Sequence, residues 1–377
     1  MNVQNSLDRM LNTKIMDMRF GNGLHVIVDG QYGSTGKGKV AAALVHELMR
    51  QGIYAGSLCN AGPNSGHTHY DLEGDNKYVL KQLPSSWVEQ HTHLKRNGNP
   101  ANSRAYLTGG AIINPTILST EVEKYNLNPR KIYIHEHAAL IFTRHIRDDK
   151  TTEKAIASTA QGVGPALQEK IGRHNPSVVA KAFRANFGEQ GFNVIEHGHY
   201  IEQVHSTLRD RAMIMEVSQG YSLGLISGQY PHVTSRECTV AQACADAGIS
   251  PALVASTTMV VRPFPIRVGN AGDTSSGPCY PDQQELNWSD IRQKPELTTV
   301  TKRPRRLFTW SAVQYRQSLL ANTPDAIYVN FMNYLPEQDW NHWLIENVIV
   351  PYKQIFGIEP IIFVGTKPQA ERLRTYH

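Results

Sequence analysis

Long hydrophobic runs and clustered cysteines are both missing from this sequence. No segment approaches the ~20 consecutive apolar residues that a transmembrane helix needs, and the N-terminus has no apolar core of the signal-peptide kind. The four cysteines, at positions 59, 238, 244 and 279, are too scattered for a CxxC metal motif and too few for a disulfide framework. We therefore expect a cytoplasmic protein with no membrane partner.

Charge of one sign is not in strong excess either. The chain has 38 basic and 33 acidic residues, a formal net charge of +5. This excess would attract phosphate-bearing small molecules, but it does not by itself indicate nucleic-acid binding. With 40% hydrophobic residues in 377, the chain can bury a large core, and we expect a globular protein with no nucleic-acid partner.

Short runs rich in β-branched residues recur along the chain, with segments of helix length between several of them. They lie at 24–28, 131–135, 212–217, 259–264, 326–330 and 360–365. This spacing predicts an α/β fold with a mostly parallel central sheet flanked by helices. No internal repeat or linker is visible, so we expect residues 1–20 to be an N-terminal extension and residues 21–377 to be a single domain.

A glycine-rich segment, DGQYGSTGKGK at 29–39, follows the first run and leads into the helical pattern VAAALVHELM. A loop between a strand and a helix N-terminus can point backbone N–H groups at a phosphate, and the helix dipole favours its negative charge. Lys37 and Lys39 add cations. Because Gly38 follows Lys37, the segment departs from the GxxxxGK(S/T) motif, and an ordinary Walker A NTPase is disfavoured.

Over nearly its whole length the chain resembles the adenylosuccinate synthetase family. The loop at 30–39 is similar to the family's GxxWGDEGKGK, and PNSGHT at 63–68 is similar to its NNAGHT. Further matches follow in order: IASTAQGVGP at 156–165, EKIGR at 169–173, QG at 219–220, YPHVTS at 230–235, IRVG at 266–269 and VTKRPRR at 300–306. The resemblance implies the family's fold and a C–N-forming ligase that joins L-aspartate to C6 of a 6-oxopurine nucleotide.

The resemblance also implies the course of the reaction and the residues that carry it. A nucleoside triphosphate phosphorylates O6 of the purine, and the amine of aspartate then displaces that phosphate from C6. Ser34 and His67 match catalytic positions, and the His67 imidazolium would donate a hydrogen bond to developing charge. Ser34 and Gly66 match positions at the Mg²⁺ ion. The histidine pairs at 91/93, 135/137 and 197/199 have metal-ligand spacing but lack an evident third partner.

Three sets of binding residues follow from the same resemblance. The triphosphate set is Gly33, Thr35, Gly36, Lys37, Gly38, Lys39, Gly66, Thr68, Asn330, Asn333 and Gly365. The purine nucleotide set is Ser34, Asn64, Ser158, Thr159, Arg173, Gln219, Thr234, Val268 and Arg303. The aspartate set is Val300, Thr301, Arg303 and Arg305, since guanidinium groups bind carboxylates through paired donors. A homodimer is also implied, because Arg173 would reach the monophosphate in the neighbouring subunit.

Two positions depart from the family pattern. The family has an aspartate, proposed to remove the N1 proton and to help bind magnesium, where this chain has Ser34. A neutral hydroxyl is a poor general base near pH 7, but its smaller size leaves room for the 2-amino group of guanine. In the segment NFMN at 330–333, Asn333 replaces an aspartate that reads guanine of GTP. Its one acceptor and one donor group complement adenine, so ATP or dATP is the expected phosphoryl donor.

Both departures resemble a branch of the family found in bacteriophages with 2,6-diaminopurine in their DNA. We therefore predict a ligase that condenses dGMP with L-aspartate, using ATP or dATP and Mg²⁺, in the cytoplasm of a host cell. One alternative is an ordinary adenylosuccinate synthetase that uses IMP and GTP, with neutral drift at both positions. Another is a non-catalytic nucleotide-binding or nucleic-acid-binding protein, which the presence of His67, Lys37 and both loop arginines makes less favoured.

Overall fold

The computed structural model describes residues 20–71, 76–98, 102–298 and 302–366, together with Leu373 and Tyr376. Of the expected N-terminal extension only Phe20 is described, and its buried ring packs edge-on against His25. Val300 and Thr301 lie outside the described residues. The division into an extension and a single domain stays a prediction.

Within the described residues, nine parallel strands form the central sheet. They are β1 (Gly23–Asp29), β2 (Tyr54–Cys59), β5 (Arg104–Leu107), β7 (Ile132–His135), β9 (Asn193–Ile195), β10 (Ala212–Glu216), β11 (Val254–Val261), β15 (Ala326–Val329) and β16 (Ile361–Val364). Their order is β16-β15-β11-β1-β10-β2-β5-β7-β9, and every pairing is parallel. The predicted α/β class with a mostly parallel sheet is confirmed, and each of the six predicted runs overlaps a strand.

Smaller sheets complete the strand set. The antiparallel strands β12 (Ile266–Arg267), β14 (Arg306–Phe308) and β13 (Glu285–Leu286) form a three-stranded sheet in that order. An antiparallel pair consists of β3 (His67–Tyr70) and β4 (Lys77–Leu80), and a short parallel pair of β6 (Ile112–Ile113) and β8 (Ala139–Leu140).

Helices connect most of the parallel strands. They are α1 (Lys37–Arg50), α2 (Ser85–Arg96), α3 (Pro115–Lys124), α4 (Thr143–Ile156), α5 (Val163–Gly172), α6 (Arg184–Glu189), α7 (His197–Asp210), α8 (Val240–Ala247), α9 (Ala312–Asn322), α10 (Trp340–Leu344) and α11 (Val350–Phe356). A π-helical turn, Ile345–Ile349, joins the last two. Within the described ranges, no helix has the length and apolar character needed to cross a bilayer.

Both faces of the sheet are covered at its centre, since all seven residues of β1 are buried. Successive side chains of a strand point to opposite faces. Val26 and Val28 accordingly belong to the hydrophobic cluster that contains Val204 of α7, whereas Ile27 belongs to the cluster that contains Leu44 of α1. The central strands are therefore fixed between two helical layers.

Three strands of the central sheet, β2, β5 and β9, were not among the predicted runs. The sequence of β2, YAGSLC, has a weak strand propensity because it contains Gly56 and Ser57. A side chain at Gly56 would overlap the carbonyl oxygen of Arg104 on the neighbouring strand. The close approach of β5 therefore requires glycine at this position. Because glycine is unfavourable in strands, the sequence of β2 did not predict a strand.

Because the strands are parallel, their carboxyl ends lie at one edge of the sheet. Four neighbouring strands at this edge, β15, β11, β1 and β10, carry polar residues at or just after their ends. Asp29 ends β1 and Glu216 ends β10, while Arg262 follows β11 and Asn330 follows β15 directly. Polar side chains from distant parts of the sequence meet there.

Candidate active site

The loop that follows β1 is folded around the side chain of Asp29. This buried carboxylate accepts hydrogen bonds from the N–H groups of Gln31 at 2.8 Å and Gly33 at 3.1 Å. The Thr35 hydroxyl donates to it at 2.5 Å, and Lys37 Nζ lies 3.3 Å from it. A buried carboxylate is tolerated only with such partners. Asp29 therefore fixes the shape of the loop from within.

Gly36 closes this loop immediately before α1. Its φ of 91° lies in the left-handed region, and a Cβ there would overlap Nδ2 of Asn330. The same Nδ2 donates to the carbonyl of Thr35 at 3.0 Å. The loop is thus held against the segment after β15, with the positive end of the α1 dipole beside it.

The two lysines of the loop are both buried. Lys37 Nζ donates to the carbonyl of Gln219 at 2.7 Å in addition to its contact with Asp29. Lys39 Nζ lies 3.4 Å from Oδ1 of Asn330 and 5.9 Å from the centre of the Tyr328 ring. Buried ammonium groups require such partners, and they concentrate positive charge on one wall.

A cavity of about 570 Å³ opens beside the loop. Its lining brings together most of the residues predicted from the sequence: Gly33, Ser34, Gly36, Lys37, Gly38, Lys39, Asn64, Gly66, His67, Thr68, Thr159, Gln219, Val268, Arg305, Asn330 and Asn333. Members of all three binding sets therefore face one space, which is large enough for a nucleotide.

Among the residues that the structure describes, the other predicted ones do not line this cavity. Three of them contact other residues of the site: the Thr35 hydroxyl bonds to Asp29, the Thr234 hydroxyl accepts from Nδ2 of Asn64 at 3.3 Å, and Gly365 packs against Asn330. The backbone N–H of Arg303 donates to the Thr298 hydroxyl at 2.9 Å, and the Ser158 hydroxyl accepts from the N–H of Ala160 at 3.3 Å.

Arg173 is placed apart from the others. It follows α5 with a φ of 58°, and it lines a second cavity of about 660 Å³. The exposed side chains of Ile171 and Ile226 line the same cavity. Within its own chain, Arg173 does not contribute to the lining of the first cavity.

His67, on β3, is held by a residue that the sequence did not identify. Its Nδ1 forms a short hydrogen bond with the buried carboxylate of Glu216, while the buried Nε2 has no partner among the described residues. Burial opposes ionisation of Glu216, yet the nearby charges of His67 and Lys37 outweigh it and hold the pKa of this carboxyl below its usual range. Glu216 therefore orients the ring and leaves Nε2 available to a ligand.

Ser34 and Asn333, the two departures from the family pattern, stand on the wall of the same cavity. Ser34 has a φ of 60°, and its carbonyl accepts from Nη1 of Arg262 at 3.1 Å. Asn333 is exposed in the 3₁₀ turn Met332–Tyr334 that follows β15. Both positions can therefore contact a ligand in this space.

Sequence reasoning missed four charged residues at this site: Asp29, Glu216, Arg262 and Glu296. Asp29 and Glu216 each carry a signal, because each is a charged residue at the end of a mostly apolar strand. Such residues are rarely buried without a partner. The signal could have identified them as candidates, but not their partners.

The fold and this cavity define a nucleotide-dependent enzyme built on a parallel sheet, and known proteins give its family. The family model described as adenylosuccinate synthetase matches residues 26–191 and 181–340. The chain is 35% identical over 347 residues to the N6-succino-2-amino-2'-deoxyadenylate synthase of Acinetobacter phage SH-Ab 15497, with 83% of this chain and 85% of the relative covered. It is 28% identical over 364 residues to the adenylosuccinate synthetase of Archaeoglobus fulgidus, with 93% and 97% covered.

Among solved structures, the cyanophage S-2L succinoaminodeoxyadenylate synthetase bound to dGMP and dATP matches with a TM-score of 0.80 at 29% identity, covering 94% of this chain and 95% of that one. The chain thus belongs to the adenylosuccinate synthetase family. The predicted fold is confirmed, and the protein is a C–N-forming ligase.

The geometry of Gly36 predicts a specific failure in the variant Gly36→Ala. The left-handed backbone would cost about 1–2 kcal/mol, and the overlap with Asn330 would displace the loop. We expect a lower melting temperature and at least tenfold weaker ATP binding by calorimetry, since about 1.4 kcal/mol is tenfold. Gly198→Ala is the matched control, because an added Cβ meets nothing within 4 Å there. Equal ATP affinity in both variants would contradict this account of the loop.

The contact between His67 and Glu216 predicts the effect of Glu216→Gln. The amide keeps the size of the side chain but loses the charge that orients the ring, so we expect kcat to fall by about 10²-fold with little change in KM for either nucleotide. Steady-state phosphate release measures both constants. Glu189→Gln, at an exposed position, is the control and should behave as wild type. An unchanged kcat in Glu216→Gln would show that this carboxylate does not support the histidine.

Proposed function

We propose that this protein condenses dGMP with L-aspartate at the expense of ATP or dATP, giving N6-succino-2-amino-2'-deoxyadenylate for diaminopurine synthesis, with ADP or dADP and phosphate. The observation that carries the proposal is Ser34 on the cavity wall, where the family has an aspartate. The phage relative named for this product and the cyanophage enzyme bound to dGMP and dATP support it.

The first chemical step is phosphoryl transfer. O6 of dGMP attacks the γ-phosphorus of the triphosphate, the bond to the bridging oxygen breaks, and the diphosphate leaves. Such transfer depends on positioned cations and backbone donors rather than on covalent catalysis. Lys37, Lys39 and the glycine loop supply them, and Nε2 of His67, when protonated, donates to the charge that develops near O6.

The second step forms the C–N bond. The aspartate amine attacks C6, and phosphate leaves with O6. Arg305, which lines the cavity, is suited to a substrate carboxylate: burial lowers the pKa of its guanidinium to about 10, with the charge of Glu296 opposing this effect, so it stays protonated at neutral pH. We assign Arg303, together with Val300 and Thr301, to the same substrate from the family pattern.

Ser34 serves recognition in this proposal and not proton removal. Its hydroxyl can accept from the 2-amino group of guanine, and it leaves the space that an aspartate would fill. A serine is a poor base for the N1 proton, which must leave to another group. The purine nucleotide would also contact Asn64, Thr159 and Gln219 on the same wall.

Asn333 serves the other nucleotide. Its carboxamide can accept from the 6-amino group of adenine and donate to N1, whereas guanine presents donors at both N1 and the 2-amino group. Its exposed position in a cavity-lining turn leaves the amide accessible to a base. ATP or dATP is the donor that this chemistry favours.

Magnesium fits this site as a nucleotide-bound ion. Within the described ranges, no three or more His, Cys, Asp or Glu side chains are grouped to hold a metal, and the Asp29 carboxylate is occupied by loop donors. Mg²⁺ commonly uses substrate phosphates and water with few protein ligands. Ser34 and Gly66, both on the cavity wall, are the residues that we assign to it. When bound, it would neutralise charge on the triphosphate.

A homodimer is part of the proposal. Arg173 stands apart from the first cavity of its own chain, beside the exposed apolar side chains of Ile171 and Ile226. Exposed apolar groups of this size favour burial against another protein surface. Arg173 would then reach the monophosphate of dGMP in the neighbouring subunit.

A substrate panel tests the proposal. Protein purified from an expression host should form the succinyl product and release phosphate with dGMP, aspartate, ATP and Mg²⁺, as measured by chromatography with mass detection. Lys37→Ala, prepared identically, should be inactive and controls for host enzymes. Turnover of IMP with GTP, together with none of dGMP with ATP or dATP, would overturn the proposal in favour of the ordinary synthetase.

The role of Ser34 predicts a change of substrate in Ser34→Asp. Aspartate tolerates the left-handed backbone at this position, fills the space of the 2-amino group and restores a base. We expect the ratio of kcat/KM for dGMP to that for IMP to fall by about 10²-fold. Ser34→Ala, which removes the hydroxyl without adding a carboxylate, is the control and should not gain IMP activity. A Ser34→Asp enzyme that keeps the wild-type ratio would sink this assignment.

A further inference from the structure

Arg262 is a fully buried arginine beside the phosphate loop that no step above uses. It follows β11, and its side chain is 0% exposed. The side chain of Gln31 forms two hydrogen bonds with the Arg262 backbone. The Arg262 N–H donates to Gln31 Oε1 at 3.1 Å, and the Arg262 carbonyl accepts from Gln31 Nε2 at 3.0 Å. The residue is thus anchored to the loop through its main chain before its side chain makes any contact.

The guanidinium of Arg262 contacts three separate segments. Its Nη1 donates to the carbonyl of Ser34 at 3.1 Å, and its Nη2 donates to Glu296 Oε1 at 2.6 Å. Its Cζ lies over the rings of Phe331 and Tyr334, at 4.1 and 5.3 Å from their centroids. A planar group with several fixed donors can make all these contacts at once, which a lysine cannot.

The partners of Arg262 are themselves connected to the cavity wall. Glu296 accepts from the Tyr334 hydroxyl at 2.9 Å, and its backbone carbonyl accepts from the N–H of Arg305 at 2.8 Å. Burial opposes ionisation of Glu296, but the charge and hydrogen bond of Arg262 outweigh it and lower the pKa of this carboxyl. Glu296 therefore stays ionised at neutral pH and pairs with the guanidinium of Arg262. In the sequence, Asn333 lies between Phe331 and Tyr334, the two aromatic residues whose rings contact the guanidinium.

We propose that Arg262 is a positioning residue that holds Ser34 at the purine pocket and ties it to the segments carrying Asn333 and Arg305. The inference rests on the proposed function, because it concerns the selectivity of that same pocket. Ser34 has a φ of 60°, a conformation that non-glycine residues keep only when surrounding contacts impose it. The bond from Arg262 to the Ser34 carbonyl is such a contact, and it sets where the small hydroxyl stands relative to the 2-amino group.

The variants Arg262→Lys and Tyr334→Phe test this inference as a pair. Lysine keeps the charge but cannot reach Ser34 and Glu296 in the same geometry. We expect the kcat/KM ratio of dGMP over IMP to fall at least tenfold, with a higher KM for dGMP and for aspartate. Tyr334→Phe removes one bond to Glu296 but leaves the Arg262 contacts with Ser34 and Glu296, so its ratio should equal that of wild type within the error of the measurement.

These readouts separate positioning from a merely structural role. A structural role would lower the melting temperature and the active fraction, and so reduce kcat for both purine nucleotides equally, leaving the selectivity ratio and both KM values unchanged. That result in folded Arg262→Lys overturns the inference. If this variant does not fold, Glu296→Gln replaces it, because it weakens the hold on the guanidinium; the ratio should shift in the same direction by about threefold, and an unchanged ratio again overturns the inference.

The wild-type enzyme distinguishes the two levels of the proposal. If the wild-type enzyme is inactive on dGMP, the proposed function is wrong, whatever the activities of the variants. If the wild-type enzyme is active on dGMP and Arg262→Lys has the same kcat/KM ratio of dGMP over IMP, only the proposed role of Arg262 is wrong.

Discussion

The parallel orientation of the central strands is the constraint from which the site follows. Because β15, β11, β1 and β10 are neighbours and run in one direction, the residues at their carboxyl ends share one edge of the sheet. The end of each strand is also where the backbone leaves the ladder, so a polar side chain there can turn toward a ligand. Asp29, Glu216, Arg262 and Asn330 occupy these four positions.

Charged groups at this edge are stable because each is built into a set of partners. Asp29 is surrounded by loop N–H groups, Glu216 is paired with His67, and Arg262 is paired with Glu296. Burying any one of them alone would be costly, whereas a satisfied set stiffens the wall. The same contacts that make the buried charges tolerable thus hold the cavity in a defined shape before substrates enter, which is the preorganisation that phosphoryl transfer needs.

The selectivity that we propose for this enzyme depends on the loss of a side-chain carboxylate as much as on the gain of new contacts. In the proposed function, a serine at position 34 gives up a carboxylate and its basicity, and in return the pocket would gain space beside the 2-amino group of dGMP. The position of Ser34 is imposed by contacts from outside the loop, since its carbonyl is held by a residue that follows another strand. A small side chain recognises a substituent only when its backbone is fixed.

The sequence by itself determined the α/β class, the phosphate loop, the family and the two departures at Ser34 and Asn333. These features are local: they depend on strand composition, on glycine spacing and on short motifs in a fixed order, which a reader of the sequence sees directly. Most residues that these local motifs assigned to the site do line one cavity. Only the tertiary structure decided that Glu216 orients His67, that Arg262 reaches Ser34 and Glu296, and that Arg173 stands away from its own cavity. These pairings join residues that are 34 to 228 positions apart, and strand order and register bring them together, neither of which is written in any local pattern.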